Sequence, residues 1–291
     1  MVFYKGAVDL TLVLILLLLG MSLGSFINAL VWRVHRQEDL KNKDHKKIDL
    51  DKLSIIKGRS MCPNCRHTLS FKDLIPVLSW LGLKGKCRYC HKPISIQYPL
   101  VELITALIFI ISYLFWPVSI NGLEIAIFGL WLILLTGLIA LAIYDLKWLI
   151  LPNRIIYPLV YVALLIALLN IIYKPNHLST LVNEVIAMLI GGGIFYILFQ
   201  ISKGKWIGGG DVRLGLILGL SIGTPGGSIL TLFLASVMGS LVSLPLMVGH
   251  KLKKNSVIPF GPFLIIAALI VQLAGHFILS WYQNTFFPYG V

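Results

Sequence analysis

Charge is scarce in this sequence. Only 13% of its 291 residues are Asp, Glu, Lys or Arg, where soluble domains carry about a quarter. With 57% hydrophobic residues and a mean hydropathy of +0.87, a soluble globule could not hide its apolar surface and keep a wetted exterior. The composition also excludes a disordered tail and a secreted disulfide scaffold. Period-two alternation is missing from the apolar stretches, which excludes the strands of a membrane barrel, runs of about ten alternating residues. There is no repeat of about 20–50 residues, and no low-complexity tract beyond Leu/Ile runs. What is present is a series of continuous apolar runs about twenty residues long. That length suits helices crossing about 30 Å of hydrocarbon.

The fold class expected is therefore all-α, a polytopic membrane bundle of about eight helices with a small cytoplasmic zinc-ribbon-like insert. The expected spans are Leu10–Trp32, Val101–Val118, Gly122–Tyr144, Ile155–Tyr173, Leu181–Ile201, Val212–Thr224, Gly226–Val248 and Phe260–Trp281. The sixth is weak, because its thirteen residues reach only about 20 Å. Parity argues for it. Lys203 and Lys205 precede it and Lys251, Lys253 and Lys254 follow the next span, so two crossings keep both clusters on one side.

Cations set the orientation. The segment Arg33–Gln97 holds fifteen Lys/Arg and six Asp/Glu, +9 of the net +13. With it in the cytoplasm, alternate loops bring 23 of 25 cations inside and leave Lys5 and Lys174 outside. Both termini are then outside. The first run reads as a retained span rather than a signal peptide, since its n-region is weakly charged and no A-x-A site follows it. Three segments result: residues 1–32, a first helix; 33–98, the cytoplasmic insert; and 99–291, seven membrane helices.

Cysteine is absent except in that insert. Cys62-Pro-Asn-Cys65 and Cys87-Arg-Tyr-Cys90 are two knuckles, each able to grip one side of a tetrahedral ion. Disulfides are the rival reading, and a reducing cytoplasm weighs against them. Four thiolates leave no open position, so a zinc ion here is structural. His67 and His91 stand close behind the knuckles and read as surface residues. The aromatics of the insert are few, so no stacking platform for nucleic acid is expected. The run 41–59 reads as a solvated basic segment near anionic headgroups.

Acids number only twelve, and six lie in the insert. Of the others, Asp9, Glu124 and Glu184 fall at the outer side, and Glu102, Asp145 and Asp211 at the cytoplasmic side. Asp145 closes the third span ahead of Leu151-Pro152-Asn153. Asp211 follows Gly208-Gly209-Gly210, which can take positive φ and let an extended chain approach. Taken singly, Asp211 could be an N-cap, and Asp145 a boundary acid paired with Lys147 or Arg154. Together on one face they form a candidate dyad. Two close carboxyls share a proton, so one can deprotonate water while the other polarises a carbonyl.

On these residues the chain resembles the type IV prepilin peptidases, the polytopic aspartic proteases with a GxGD motif. The resemblance covers nearly the whole chain. It includes Gly24-Ser25-Phe26-Ile27-Asn28 with Arg33, and the tetracysteine insert with Asp73-Leu74-Ile75-Pro76 and Pro93-Ile94-Ser95. It continues through Tyr98-Pro99-Leu100-Val101-Glu102, Asp145 with Leu151-Pro152-Asn153, Gly208–Asp211, and Pro259-Phe260-Gly261-Pro262-Phe263. It implies cleavage of basic leaders from prepilins and pseudopilins at the cytoplasmic boundary of a bacterial inner membrane. It also implies N-methylation of the new terminus from S-adenosylmethionine. By motif position the catalytic pair would be Asp145 and Asp211. The methyl transfer rests on the resemblance alone, because no strand–Gly-turn–helix unit is present. Glu102 is a candidate for either a structural pair or methyl transfer. Proteases of the presenilin or signal-peptide-peptidase type use a similar pair, but the insert and Pro259–Phe263 favour the prepilin peptidases. A transporter or assembly scaffold would need acids deep in the bundle.

Overall fold

The structure is a computed structural model, and it describes residues 9–42, 53–55, 58–248 and 258–286. Lys5 and Lys251 to Lys254 lie outside the described residues, as does most of the basic run at 41–59. The chain divides into two compact units, residues 1–114 and 115–291. Among the described residues there is no strand beyond two isolated bridges. Among the same residues, seven helices are long and apolar enough to cross a membrane.

The first unit is built on α1 (Leu10–Asn42) and α3 (Gln97–Leu114), with α2 (Leu78–Gly82) in the insert between them. Lipid offers no hydrophobic drive for helix pairing, so small residues must bring the backbones close. Gly20 and Gly24 do so. A Cβ at Gly20 would lie 2.5 Å from the Ala106 Cα, and one at Gly24 2.6 Å from the Glu102 Cα. Asn28 secures the crossing by donating from Nδ2 to the Tyr98 carbonyl at 3.1 Å.

α1 runs ten residues beyond the expected end at Trp32. The segment from Arg33 to Asn42 contains neither Gly nor Pro, so nothing breaks the helix, and its polar side chains find work there. Buried Arg33 donates to the Ser54, Ile55 and Gly58 carbonyls, and Gln37 to that of Leu53 at 2.7 Å. Leu53 is 3% exposed. The end of the 41–59 run is thus anchored on the helix rather than freely solvated.

The second unit contains α4 (Leu123–Trp148), α5 (Asn153–Tyr173), α6 (His177–Met188), α7 (Ile194–Ser202), α8 (Gly209–Ile222), α9 (Pro225–Val248) and α10 (Gly261–Phe286). A π turn at Leu189–Gly193 joins α6 to α7 as one 26-residue span. That turn packs on α8, where a Cβ at Gly191 would fall 2.4 Å from the Gly215 carbonyl oxygen. The weak sixth span is α8. Its 14 residues measure about 21 Å, too few to count among those seven, yet it runs from Asp211 at one end of the unit to Gly223 against Glu184 at the other, which keeps the parity of eight passages.

Candidate active site and metal centre

One end of the second unit gathers the C-terminus of α4 with the N-termini of α5, α8 and α10. Asp145, on the last turns of α4, is 6% exposed. The Gly261 N–H, at the start of α10, donates to Asp145 Oδ2 at 3.1 Å. A Cβ on residue 261 would stand 2.7 Å from that oxygen, so any larger residue there must push the carboxyl aside. The carboxyl therefore faces the positive end of a helix.

Asp211 does likewise on α8. It is not the N-cap weighed from sequence: Gly208 holds that position with extended backbone, and Asp211 is the third helical residue. Its carboxylate accepts a hydrogen bond from the Gly208 backbone, as the third residue of a capping box does. Asp211 also lies close enough to Asp145 for the two carboxyls to interact electrostatically.

The glycines at 208–210 serve close approach, not positive φ. Gly208 has φ −75°, and neither Gly209 nor Gly210 has a positive φ. A Cβ at Gly210 would lie 2.9 Å from the Leu151 Cβ, which seats α8 against the Leu151-Pro152-Asn153 turn. Arg213 closes this seat by donating to Asn153 Oδ1. Its guanidinium also lies over the Tyr157 ring, 5.7 Å from the centroid. Pro259–Phe263 and Asn153 stand out in the sequence, but nothing local there gives their partners. An Asn opening a helix and an Arg following GGGD were the signals available.

Glu124 and Glu184 are elsewhere. Glu124 starts α4, 21 positions before Asp145, about 31 Å along the helix. It accepts from Trp116 Nε1 at 2.8 Å. Glu184, on α6, accepts from Asn170 Nδ2 at 3.4 Å near the C-terminus of α5, and packs against Gly223 after α8. The acids of the second unit therefore sort to two ends of one bundle.

Glu102 belongs to the first unit. Its Oε2 accepts the Val77 N–H at 2.7 Å, and it also bonds the Ser25 hydroxyl. Val77 has φ +60°, strained for a β-branched residue. Glu102 is thus a structural anchor for the insert.

In the insert the four sulfurs of Cys62, Cys65, Cys87 and Cys90 lie within 4.8 Å of one another. Cys62 and Cys90 are 3.9 Å apart, against an edge of about 3.8 Å for a tetrahedron with 2.3 Å Zn–S bonds. Each knuckle closes with the same pattern. Cys62 N–H donates to the His67 carbonyl and Cys87 N–H to that of Lys92, with Arg66 and His91 at positive φ. Burial raises both Cys62 and Cys87. At Cys87 the Cys90 and Tyr89 N–H groups and the neighbouring thiols outweigh it and bring the thiol down to about 7, whereas Cys62 goes up to about 11. All four cysteines are free thiols, and their donor set fits a metal.

Asp73 braces the two knuckles. It accepts from Ser70 N–H and Oγ, Arg88 Nε at 2.7 Å and the Tyr89 hydroxyl. Burial would raise this carboxyl, but those donors hold it down at about 2. The His67 ring stacks on Tyr89, centroids 3.7 Å apart, so His67 is occupied in packing outside the sulfur cluster. Only the Ser70 contact is local; Arg88 and Tyr89 are fifteen and sixteen residues away, so the sequence carries no signal of the brace.

A bundle of membrane-length helices that brings Asp145 and Asp211 to one end, each carboxyl taking a backbone N–H from the start of a helix, defines the class. Residues 18–116 match the bacterial peptidase A24 N-terminal domain, and residues 132–244 the type IV leader peptidase family. The chain is 32% identical to the prepilin leader peptidase/N-methyltransferase of Aeromonas hydrophila, covering 92% of this chain and 93% of that one. It is 34% identical to the type 4 prepilin-like proteins leader peptide-processing enzyme of Escherichia coli O78:H11, over 86% and 89%. With the Bacillus subtilis prepilin leader peptidase/N-methyltransferase it shares 32% over 79% and 87%. No solved structure matches. The chain belongs to the type IV leader peptidase family.

Proposed function

We propose that this chain is a membrane-embedded aspartic endopeptidase that removes the leader of type IV prepilins and pseudopilins, then N-methylates the new N-terminus. The observation that carries the peptidase reading is the approach of Asp145 and Asp211 at one end of the bundle. With one proton between them, the ionised carboxyl takes a proton from water, and the protonated one hydrogen-bonds the scissile carbonyl. Hydroxide adds to that carbon. As the intermediate collapses, the proton passes to the leaving amine and the pair returns to its starting state. The Gly208–Gly210 turn has no side chains to obstruct an extended peptide.

The multi-pass chain lies in the bacterial inner membrane, with this end, the insert and the leader on the cytoplasmic side and both termini outside. The seven-helix region at 99–291 carries the peptidase. In the insert at 33–98, Cys62, Cys65, Cys87 and Cys90 would hold one zinc ion, which fixes the knuckles and supplies no open coordination position. Methylation takes its support from the relatives' names, and S-adenosylmethionine is its second substrate.

The test is incubation of purified protein with a prepilin, with and without S-adenosylmethionine, and mass readout of both products. Leader loss without the methyl donor and a further 14 Da with it are expected, 14 Da being the mass of one added CH₂. An intact prepilin in both arms contradicts the reading.

A further inference from the structure

The insert exposes more apolar side chain than a water-facing domain should. Phe71 is 83% exposed, Leu78 66%, Leu81 57% and Ile96 68%, with Leu74 and Ile75 also exposed. Meanwhile the polar groups of the same segment are turned to internal use. Asp73 is engaged by Ser70, Arg88 and Tyr89, and Trp80 Nε1 donates to the Ile94 carbonyl at 3.1 Å. Soluble surfaces rarely carry contiguous apolar patches of this kind without a partner.

The tether of this segment points to the partner. The Val77 N–H is bonded to Glu102 Oε2 at 2.7 Å, and Glu102 lies five positions beyond the first residue of the membrane span α3, about 7.5 Å along its axis. α3 has only 18 residues, or about 27 Å, so nearly its whole length is needed for the hydrocarbon slab. A residue fixed at Glu102 therefore sits about 7.5 Å inside the hydrocarbon edge, within the depth that an interfacial apolar segment reaches. The apolar chains at 71–75 and 78–81 flank it on both sides. Charge fits the same place. Residues 70–96 carry Lys72, Lys84, Lys86, Arg88 and Lys92 against the single acid Asp73, which is already paired with Arg88.

We propose that the segment Phe71–Leu83 is a membrane-docking lip. Its apolar side chains enter the interfacial layer of an anionic phospholipid bilayer beside α3, and the flanking cations meet the headgroups. The lip holds the cysteine knuckles against the membrane surface. This inference is independent of the peptidase reading and of which side the insert faces.

The test uses the full chain in nanodiscs of phosphatidylethanolamine and phosphatidylglycerol. Phe71→p-benzoylphenylalanine and Leu78→p-benzoylphenylalanine are irradiated beside Asn64→p-benzoylphenylalanine, an exposed position on the first knuckle. Mass readout should give lipid adducts at 71 and 78 at least about fivefold above those at 64, as for an in-plane apolar segment. Equal yields at all three positions overturn the proposal, as do adducts to another protein or a second copy instead of lipid. Where a substituted chain does not accumulate, hydrogen exchange of the unsubstituted protein decides. Amides at 74–83 should exchange more slowly in phosphatidylglycerol discs than in phosphatidylcholine discs, and equal exchange overturns the lip.

Discussion

The two ends of the second unit hold two acids each and treat them oppositely. At one end Glu124 takes an indole N–H from Trp116 and Glu184 an amide from Asn170. Each takes one neutral donor, as a buried carboxyl in a bundle must find, although the second oxygen of Glu184 is buried without a partner and its charged neighbour is Lys174. At the other end Asp145 and Asp211 face helix N-termini through Gly261 and Gly208, and they interact with each other. Acids locked to private partners brace a structure. Acids set against each other can pass a proton, and that is the chemistry proposed here.

The largest expected effect comes from breaking the active end. Asp145→Asn and Asp211→Asn should each lower leader cleavage by at least about a thousandfold, since groups acting as a unit fail together. The thermal transition should stay within a few degrees. Asn keeps the Gly208 hydrogen bond through its amide oxygen, so a purely capping Asp211 would survive the change.

Gly261→Ala sharpens the comparison next. The added methyl meets Asp145 Oδ2 at 2.7 Å and must displace the carboxyl. Cleavage should fall by about a hundredfold, the effect of displacing a catalytic group by about 1 Å. At the other end Glu184→Gln should leave cleavage unchanged, with any effect appearing only as a shift in melting temperature. A cleavage loss matching that of the Asp145 variant would erase the distinction between the ends.

Much of this was legible in the sequence. Apolar runs about twenty residues long mark spans because the slab demands that length, and the order of acids along them places Asp145 and Asp211 on a common side. Helix ends were less legible. α1 continues to Asn42 because Arg33 and Gln37 find carbonyls at 53–58, a tertiary fact without a local signal. The π turn is hidden inside an apolar run, since it depends on Gly191 meeting Gly215 on another helix. Of the two properties read for Gly208–Gly210, positive φ is absent, and glycine at 210 is demanded by close approach to Leu151. Two CxxC knuckles announced a metal site, but the bonds of Asp73 with Arg88 and Tyr89 and of Glu102 with Val77 had no local signal, because those partners are remote in sequence.

Smaller effects concern the insert. Metal analysis should find about one zinc per chain, and Cys87→Ser should lose it. Asp73→Asn should speed zinc loss to a chelator by up to about tenfold, as loss of supporting contacts does. Because the Asp73 carboxyl is held at about 2, below the usual value near 4, its stabilisation is complete above that usual value. It fades as pH falls towards 2. The melting difference between wild type and Asp73→Asn should therefore shrink over that window. Smallest of all, neutralising the lysines at 41–59 should leave cleavage intact. A basic leader gains nothing from a basic run, so the leader is not expected to dock on 41–59, and a large loss with folding preserved would contradict that.

The most direct measurement is a double-mutant cycle on leader cleavage by the reconstituted protein, comparing Asp145→Asn, Asp211→Asn and the two combined. The pair is predicted to behave as one unit, with each single variant inactive, the double variant no worse than either, and all three folded. Robust leader removal by either single variant would contradict the account.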